Sequence, residues 1–391
     1  MKNIDKNIFY LGLVSFFTDM ASSMVTIVLP LFVVYVLNEG VDKLGIVIAV
    51  ATFVSYGFRI LFGYLSDRLQ VVKPFVVAGY LVSAVAKPLL AFSSSYVSVS
   101  LLRGVERMGK AIRSAPKDLL ISTYARKSED GRTFGFHKML DIAGELSGAL
   151  LIFGLFLLVK ADESVIRTIF MWTLLPGVVS TAIVLFMVKD APYRPKKEVI
   201  VVNREDYGLL WLLGCYFLFI FFLFSDQYFI VKVKEAGYSF AYIPLFVIVL
   251  TLTQTLMSYY SGVISDKRGS AQVLLIAFLF GVLSMFFLWQ DLLWFAFLFL
   301  GLFTVFSLNA MRSYISKAAK SRGFVFGLFY GGIALSSSLG ALMMGYIWEH
   351  YGVDNAIYTS LAGLGGAVVF LLVLIGRKTG SGSEKEVQMT R

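Results

Sequence analysis

Twelve apolar runs, most of them about twenty residues long, dominate this sequence and are separated by short polar segments. A helix needs about 20 apolar residues to cross a hydrocarbon core about 30 Å thick, so each run predicts one membrane crossing. Hydrophobic residues make up 58% of the chain and charged residues 15%, against about 45–50% and about 25% in soluble proteins. The chain is therefore predicted to be an all-α polytopic membrane protein. The predicted crossings are 8–37, 43–66, 73–93, 95–118, 132–159, 165–188, 207–231, 240–264, 271–289, 292–316, 323–348 and 354–376.

Basic residues are distributed unequally between the two sides of these crossings. With the N-terminus inside, most loop Lys and Arg residues are cytoplasmic, as the positive-inside rule requires. Both termini are therefore expected in the cytoplasm, and the protein in the plasma membrane. The first crossing is too long for a signal peptide and contains Asp19, so it is expected to remain in the mature protein. The external segments hold only Lys43, Lys160, Arg167, Lys232 and Lys234.

A short phrase occurs twice, each time at the end of the second crossing of a set of six. It reads Gly63-Tyr-Leu-Ser-Asp67-Arg68 in the first half and Gly262-Val-Ile-Ser-Asp266-Lys267 in the second. Arg113-Ser114 and Arg312-Ser313 are separated by the same number of positions. Duplicated halves are a recurrent plan of membrane transporters. The predicted units are a six-helix bundle over 1–188, a cytoplasmic linker over 189–206, a second six-helix bundle over 207–376 and a disordered cytoplasmic tail over 377–391.

Twelve crossings in two halves, each with a Gly-x3-Asp-basic phrase after its second crossing, resemble the major facilitator superfamily. The family's phrase continues to a second Gly; the second copy has Gly269 there, whereas the first has Gln70. The resemblance implies two pseudo-symmetric six-helix bundles and a gate on the cytoplasmic side. A gating role also follows from the chemistry, because an Asp can cap a helix and a base can hold a carboxylate in one state and release it in another. The predicted gate residues are Gly63, Asp67, Arg68, Gly262, Asp266 and Lys267.

Two further patterns resemble the same family. The fourth crossing has Arg103-x2-Glu106-x2-Gly109-x-Ala111, similar to a family pattern linked to proton coupling, with Glu106 in place of Gln and Arg107 in place of Gly. The fifth has Gly135-x8-Gly144-x3-Gly148, similar to the glycine spacing of antiporter members, but without the Pro that usually follows. The resemblance favours proton coupling and export.

Ionisable side chains lie inside several predicted crossings, where each is costly unless paired or hydrated and is a functional candidate by default. The fourth crossing carries a basic stripe with one glutamate, and the fifth carries acidic groups one helical turn apart. The alternative is a salt-bridge network that only fixes helix packing. The candidates in this half are Asp19, Arg103, Glu106, Arg107, Lys110, Arg113, His137, Asp141 and Glu145.

The second half holds fewer such groups and many aromatic residues. Its candidates for the pathway are Asp226, Gln227, Asn309 and Arg312. Aromatic rings around 216–224 are expected to face mainly lipid and other helices, and some can line a cavity. A charged wall in one half and an aromatic wall in the other suit an amphipathic anionic or zwitterionic solute.

These features predict a secondary transporter that works by alternating access, with proton-coupled efflux of a small amphipathic or anionic organic solute. The alternatives are ion-coupled or facilitative uptake of an organic anion, and a nontransporting membrane receptor. Neither a nucleophile-base constellation, a Cys/His metal cluster nor a phosphate-binding loop is present in the sequence, so no enzymatic activity, metal or cofactor is expected. The expected partners are the small-molecule substrate, protons and membrane lipid; nucleic acid is not expected, because the basic residues are spread among loops.

Overall fold

The computed structural model describes residues 5–125, 130–190 and 204–389, without the side chains of 130–132, 134, 204–205, 266, 268, 322 and 377–389. These residues form α-helices with short 3₁₀ and π turns, and no β-strand is found among them. The first half contains α1 (Lys6–Leu31, continued by a π-helical turn at Phe32–Val36), α2 (Val41–Leu69), α3 (Lys73–Leu89), α4 (Tyr96–Tyr124), α5 (Asp130–Leu158), α6 (Glu163–Trp172) and α7 (Leu174–Phe186). The second contains α8 (Leu210–Phe222), α9 (Asp226–Glu235), α10 (Ile243–Arg268), α11 (Ser270–Trp289), α12 (Leu293–Ala318), α13 (Arg322–Tyr351) and α14 (Val353–Met389).

The helices account for twelve crossings in two sets of six, which confirms the predicted architecture. Two crossings are divided: α6 and α7 form the sixth, and α8 and α9 form the seventh. Eleven helical segments of the described chain are long and apolar enough to span a membrane. The fourth crossing, α4, is missing from that set because its many charged residues lower its hydropathy, although it has 29 residues.

The structure can be compared with the predicted units at the tail and at the linker. Helix α14 continues through Met389, so the segment after Gly376 that was expected to be a disordered tail is helical to that residue. Most of the predicted linker, residues 191–203, lies outside the described residues. Its last part is ordered, because 204–209 forms a 3₁₀ turn that leads into α8.

Close helix approach in the first half depends on small residues. Helix α5 packs on α1 through Gly144 and Gly148, where an added Cβ would collide with the backbone carbonyls of Phe16 and Met20. Gly79 of α3 meets the Gly109 carbonyl of α4 in the same way. Small residues at such crossings are typical of membrane helices. Two of the three glycines of the fifth-crossing spacing therefore have a packing role here, whereas an added Cβ at Gly135 would meet nothing within 4 Å.

Basic side chains hold the helix ends of the first half together by donating to backbone carbonyls. Arg167 of α6 donates from Nη1 to the carbonyls of Ala91 (2.5 Å) and Ser93 (2.9 Å), just after α3. At the other end, Lys73 Nζ donates to the carbonyl of Leu185 in α7 at 2.9 Å. Carbonyls in the last turn of a helix have no partner within it, so these donors satisfy groups that would otherwise be unpaired.

The two halves meet through α2 with α13, α5 with α10, and α1 with α9. We call the end of the molecule that carries both Gly-x3-Asp phrases the motif end, and the other the opposite end. At the opposite end the halves touch through backbone-level contacts. The Ser338 hydroxyl of the second half donates to the Ala49 carbonyl of the first at 3.0 Å, and the Val41 N–H of the first half donates to Glu349 Oε2 of the second at 2.7 Å. Within the second half, Tyr228 Oη donates to the Ala341 carbonyl at 2.5 Å beside these contacts.

Gly40 precedes α2 and supplies no side-chain cap, so Glu349 of the other half takes that role. A carboxylate is stabilised at a helix N-terminus by the free N–H groups and the helix dipole. The contact joins the first turn of α2 to the last turn of α13. It therefore helps to hold the halves together at the opposite end.

Candidate transport pathway

A cavity of about 370 Å³ lies between the halves near the middle of the crossings. Helix α2 of the first half contributes Ile48, Thr52 and Tyr56, and the rest of the wall comes from the second half. Its polar groups are mostly neutral hydroxyls and one amide, set among aromatic and aliphatic side chains. The lining from the second half is Tyr216, Ile220, Leu223, Phe224, Ser225, Asp226, Leu250, Gln254, Leu300, Phe303, Thr304, Ser307, Leu308, Ile333, Ser337 and Ala341.

Asp226 enters this cavity because the seventh crossing is broken between α8 and α9. Ser225 caps α9: its hydroxyl accepts from the Gln227 N–H at 3.4 Å and donates to Asp226 Oδ1 at 2.9 Å. Gln227, the second candidate at the break, is buried, and its Oε1 has no hydrogen-bond partner among the described residues. A discontinuous helix at membrane depth is tolerated where it lines a cavity.

Arg103, Glu106 and Arg107 of α4 form a buried ion cluster in the first half. Glu106 Oε2 lies 2.8 Å from Arg103 Nη1 and 3.3 Å from Arg107 Nε. Arg103 is fully buried and Glu106 is 1% exposed. Two nitrogens of Arg103, Nε and Nη2, have no hydrogen-bond partner among the described residues. The three predicted residues are thus brought together, but none of them lines the cavity.

Lys87 of α3 belongs to the same region and was not among the predicted residues. It is 1% exposed, and its Nζ donates to the Thr18 carbonyl of α1 at 3.3 Å. Glu106 is near enough to attract it. Lys87 is identifiable from the sequence, since it lies well inside the third apolar run, where a charged residue is costly unless it is paired or hydrated.

Arg113, the most deeply placed basic residue toward the motif end of α4, has a packing role. Its Nη1 donates to the Ser83 hydroxyl at 2.7 Å and to the Gly79 carbonyl at 3.3 Å, and its guanidinium lies over the Tyr80 ring at 4.6 Å. All three partners are on α3. In the structure the side chain is buried between α3 and α4 and does not line the cavity, and its predicted place in the pathway stays a prediction.

His137 and Asp141 of α5 are part of a chain of polar and charged contacts toward the motif end. His137 Nε2 lies 3.0 Å from the Ser15 hydroxyl, and its Nδ1 lies 3.3 Å from Asp141 Oδ1. Lys117 Nζ donates to the same Ser15 hydroxyl at 3.3 Å, and Lys138 Nζ is 3.9 Å from Asp141 Oδ2. The chain connects α1, α4 and α5.

Asp19, Lys110 and Glu145 lie on these same three helices. The charges of Asp19 and Lys110 both act on Glu145, and Asp19 and Lys110 attract each other. Asp19 and Glu145 are half-buried, and Lys110 is exposed. This arrangement places two carboxylates and an ammonium group within electrostatic range of one another.

The side chains of Asn309 and Arg312 of α12 have different environments in the structure. Asn309 Nδ2 donates to the Ser261 hydroxyl at 2.6 Å and to the Ser258 carbonyl at 3.1 Å, which ties α12 to α10. Arg312 is exposed. Neither residue lines the cavity.

The predicted gate residues lie at the motif end of α2 and α10. Asp67, Arg68 and Lys267 are exposed, and Gly63 and Gly262 are half-buried. The side chain of Asp266 lies outside the described residues. Asp67 forms no ion pair with any described residue. The gate assignment stays a prediction.

The position after each phrase shows why the family pattern has Gly there. Gly269 follows α10 with a φ of 84°, and Gln70, at the equivalent place, ends α2 with a φ of 55°. Positive φ is easily adopted by Gly and uncommon for other residues. The first copy therefore has a positive φ at this position without a glycine, although the ψ angles differ, 34° at Gln70 and 146° at Gly269.

An ion pair absent from the predictions connects helices near the motif end of the cavity. Arg59 Nη2 of α2 lies 3.0 Å from Asp118 Oδ2 of α4. The Arg59 guanidinium also lies 4.8 Å from the centre of the Tyr330 ring of α13, which stacks on Tyr56 at 6.1 Å. Arg59 thus contacts both halves.

We expect the replacement Asp118→Asn to lower the free energy of unfolding by less than about 1 kcal/mol, because partly exposed ion pairs contribute little. The Asp118 side chain is 48% exposed. Thermal unfolding of the purified protein in detergent checks this, with wild-type protein measured in parallel. A loss of about 2 kcal/mol or more would instead assign the pair the energetics of a buried one.

Comparison with known proteins identifies the fold. The sequence model of the Major Facilitator Superfamily matches residues 11–319 and 233–389. A relative from Methanocaldococcus jannaschii, named as an uncharacterized MFS-type transporter, is 29% identical over 95% of this chain and 96% of its own. An uncharacterized protein of Mycobacterium tuberculosis is 24% identical over 78% of each chain.

Solved transporter structures have the same arrangement of helices. The nucleoside transporter NupG superposes with a TM-score of 0.74 at 12% identity, over 95% of this chain and 99% of its own. A bacterial homologue of the human lysosomal transporter Spinster, in an inward-facing and unoccupied conformation, gives 0.70 at 14% identity over 94% of both chains. At these identities the likeness concerns the fold alone. Together with the sequence match over most of its length, it shows that the chain belongs to the Major Facilitator Superfamily of membrane transporters.

Proposed function

We propose that this protein is a proton-coupled secondary transporter that exports a small amphipathic organic solute across the plasma membrane by alternating access. The carrying observation is a cavity between two halves that are in close contact at the opposite end. At the motif end, by contrast, Asp67, Arg68 and Lys267 are exposed. With the motif end in the cytoplasm, as its basic loops favour, we propose that this conformation faces inward.

The proposed proton carriers are carboxylates of the first half, which lie apart from the cavity lining. Asp19 and Glu145 influence each other and Lys110 across α1, α4 and α5. Adding a proton to one of two neighbouring carboxylates changes the net charge that the ammonium group experiences, and so the preferred packing of these helices. Asp141 and Glu106 are the other members of this proposed set, each already in contact with a base.

Export rests on the resemblance of the fifth-crossing glycine spacing to antiporters. Uptake uses the same cavity and carriers, and only the measured direction of coupled movement separates the two. A nontransporting receptor with this fold would bind solute without moving it.

A vesicle experiment tests the proposal. Purified protein is first screened by thermal shift against a broad solute panel, since a ligand of the folded state raises its stability. It is then reconstituted with a ligand so identified, and solute movement is followed under an imposed pH gradient. Export by antiport requires solute to accumulate on the acidic side, opposite to the flow of protons. Accumulation on the other side indicates uptake, and binding without movement contradicts transport.

We expect Glu145→Gln to abolish accumulation driven by the pH gradient while leaving solute exchange without a gradient in place, because the amide cannot carry the proton. The matched control is Glu163→Gln at the opposite end, where the Glu163 side chain is 60% exposed. Solute and proton fluxes are both recorded. Undiminished accumulation by Glu145→Gln would remove Glu145 from the set of proton carriers.

A further inference from the structure

We propose that the central cavity selects solutes that carry a protonated amine on an aromatic or aliphatic body, and that Asp226 is the carboxylate that recognises the amine. The inference deepens the proposed transport function and rests on it. It names a substrate class different from the organic anion that the basic stripe of α4 predicts.

The charge of the cavity wall is the first reason. Asp226 is the only charged residue among those that line the cavity. Its Oδ1 accepts a hydrogen bond from the Ser225 hydroxyl, and no described residue forms an ion pair with it. A half-buried carboxylate without an ion partner has lost part of its hydration, which is costly. A ligand cation at hydrogen-bond distance removes that cost, whereas a ligand anion adds to it.

The position of the basic residues is the second reason. Arg103 is near enough for Asp226 to attract it, but it is bonded to Glu106, fully buried and absent from the cavity lining. Arg107 also contacts Glu106, and Arg113 is held by α3. The wall therefore presents no cation to a bound solute. Arg103 reduces the negative potential near Asp226 and leaves the carboxylate available.

The third reason is the composition of the remaining wall. Tyr56, Tyr216, Phe224 and Phe303 surround the same space as Asp226. Aromatic faces attract organic cations, and most strongly where water is excluded. Gln254 and several hydroxyls add neutral hydrogen-bonding groups. The volume of about 370 Å³ is at the lower end of pockets for drug-sized ligands, about 300–1,000 Å³, so one ring with a short amine chain fits the available space.

Three probes of similar shape and different charge test this: phenethylamine, 3-phenylpropionate and phenethyl alcohol. Binding to purified full-length protein is measured by thermal shift and calorimetry at neutral pH. The proposal expects phenethylamine to bind most tightly. Asp226→Asn is expected to weaken amine binding by about tenfold or more while changing alcohol binding by less than about threefold, because only the amine loses a charged partner.

Two further variants keep the test decisive if Asp226→Asn does not fold. Asp226→Glu retains the charge and is expected to retain the order of the three probes. Glu163→Gln, outside the cavity, is expected to match wild-type protein. Preference for 3-phenylpropionate, or equal binding of the amine to wild type and Asp226→Asn, overturns the role of Asp226 and leaves the transport proposal standing. If the broad panel yields no ligand that the reconstituted protein moves, the transport proposal itself fails.

Discussion

Replacing Arg103 with methionine is expected to lower the free energy of unfolding by about 3–5 kcal/mol, the usual cost of removing one partner of a buried ion pair. The Glu106 carboxylate, 1% exposed, would keep only its 3.3 Å contact with Arg107. Its hydrogen bond to Arg103 Nη1 at 2.8 Å would be lost with no water to replace it. Chemical or thermal unfolding in detergent measures the loss.

The double replacement Arg103→Met with Glu106→Gln separates the pair from the packing of the arginine stem. Removing the buried charge together with its partner is expected to recover a large part of the lost stability, as in other buried pairs. Arg312→Met serves as the matched control, because Arg312 is an exposed arginine on the fourth crossing of the other half. Its effect should stay within about 0.5 kcal/mol. A loss below about 1 kcal/mol for Arg103→Met would show that Arg107 alone satisfies Glu106.

Replacing Gly45 with alanine is expected to shift the protein away from the state that is closed at the opposite end. The new Cβ would lie 2.7 Å from Tyr228 Oη and 2.8 Å from the Ala341 carbonyl oxygen. The carbonyl belongs to the backbone of α13 and cannot turn aside as a flexible side chain can. Overpacking of about 1–3 kcal/mol would change the ratio of closed to open molecules by about 5- to 150-fold.

Distances between spin labels measure that shift directly. Labels at Glu163 and Asp354, exposed residues of the two halves at the opposite end, are introduced with Cys215→Ser so that no other thiol reacts. The Gly45→Ala protein should show a longer distance population. Gly365→Ala is the control, because its Cβ would meet nothing within 4 Å. An unchanged distance distribution in Gly45→Ala would mean that the halves do not seal through this crossing.

The architecture was predictable because hydrophobic length and a repeated phrase are properties of the sequence itself. The break in the seventh crossing was not, since the apolar run continues through Leu223 and Phe224 and conceals it. The break depends on the Ser225 hydroxyl, which bonds the first turn of α9 and so lets a new helix begin. Hydropathy counts such a serine as a minor interruption of the run, and its capping role is visible only in three dimensions.

The charge stripe of α4 was recognised, but its pairing was not. Spacing places Arg103 and Arg113 on one broad face, yet the structure turns one to Glu106 and the other to the Ser83 hydroxyl of α3. Which neighbour each base finds depends on how close α3 comes, and that is set by glycines such as Gly79. Lys87 gives a weaker signal in the sequence, because a single lysine inside an apolar run has none of the helical periodicity that marks the stripe of α4.

The carbonyl-binding Arg167 and Lys73 have a consequence for how the molecule moves. Arg167 joins α6 to the end of α3, and its guanidinium also lies 5.0 Å from the Phe32 ring of α1. Lys73 joins α3 to α7 at the other end. Helices linked near both ends resist sliding past one another, so the first half is suited to move as one rigid body. Two of the basic residues that contribute to the chain's net charge of +10, Arg167 and Lys73, thus make this bundle stiffer.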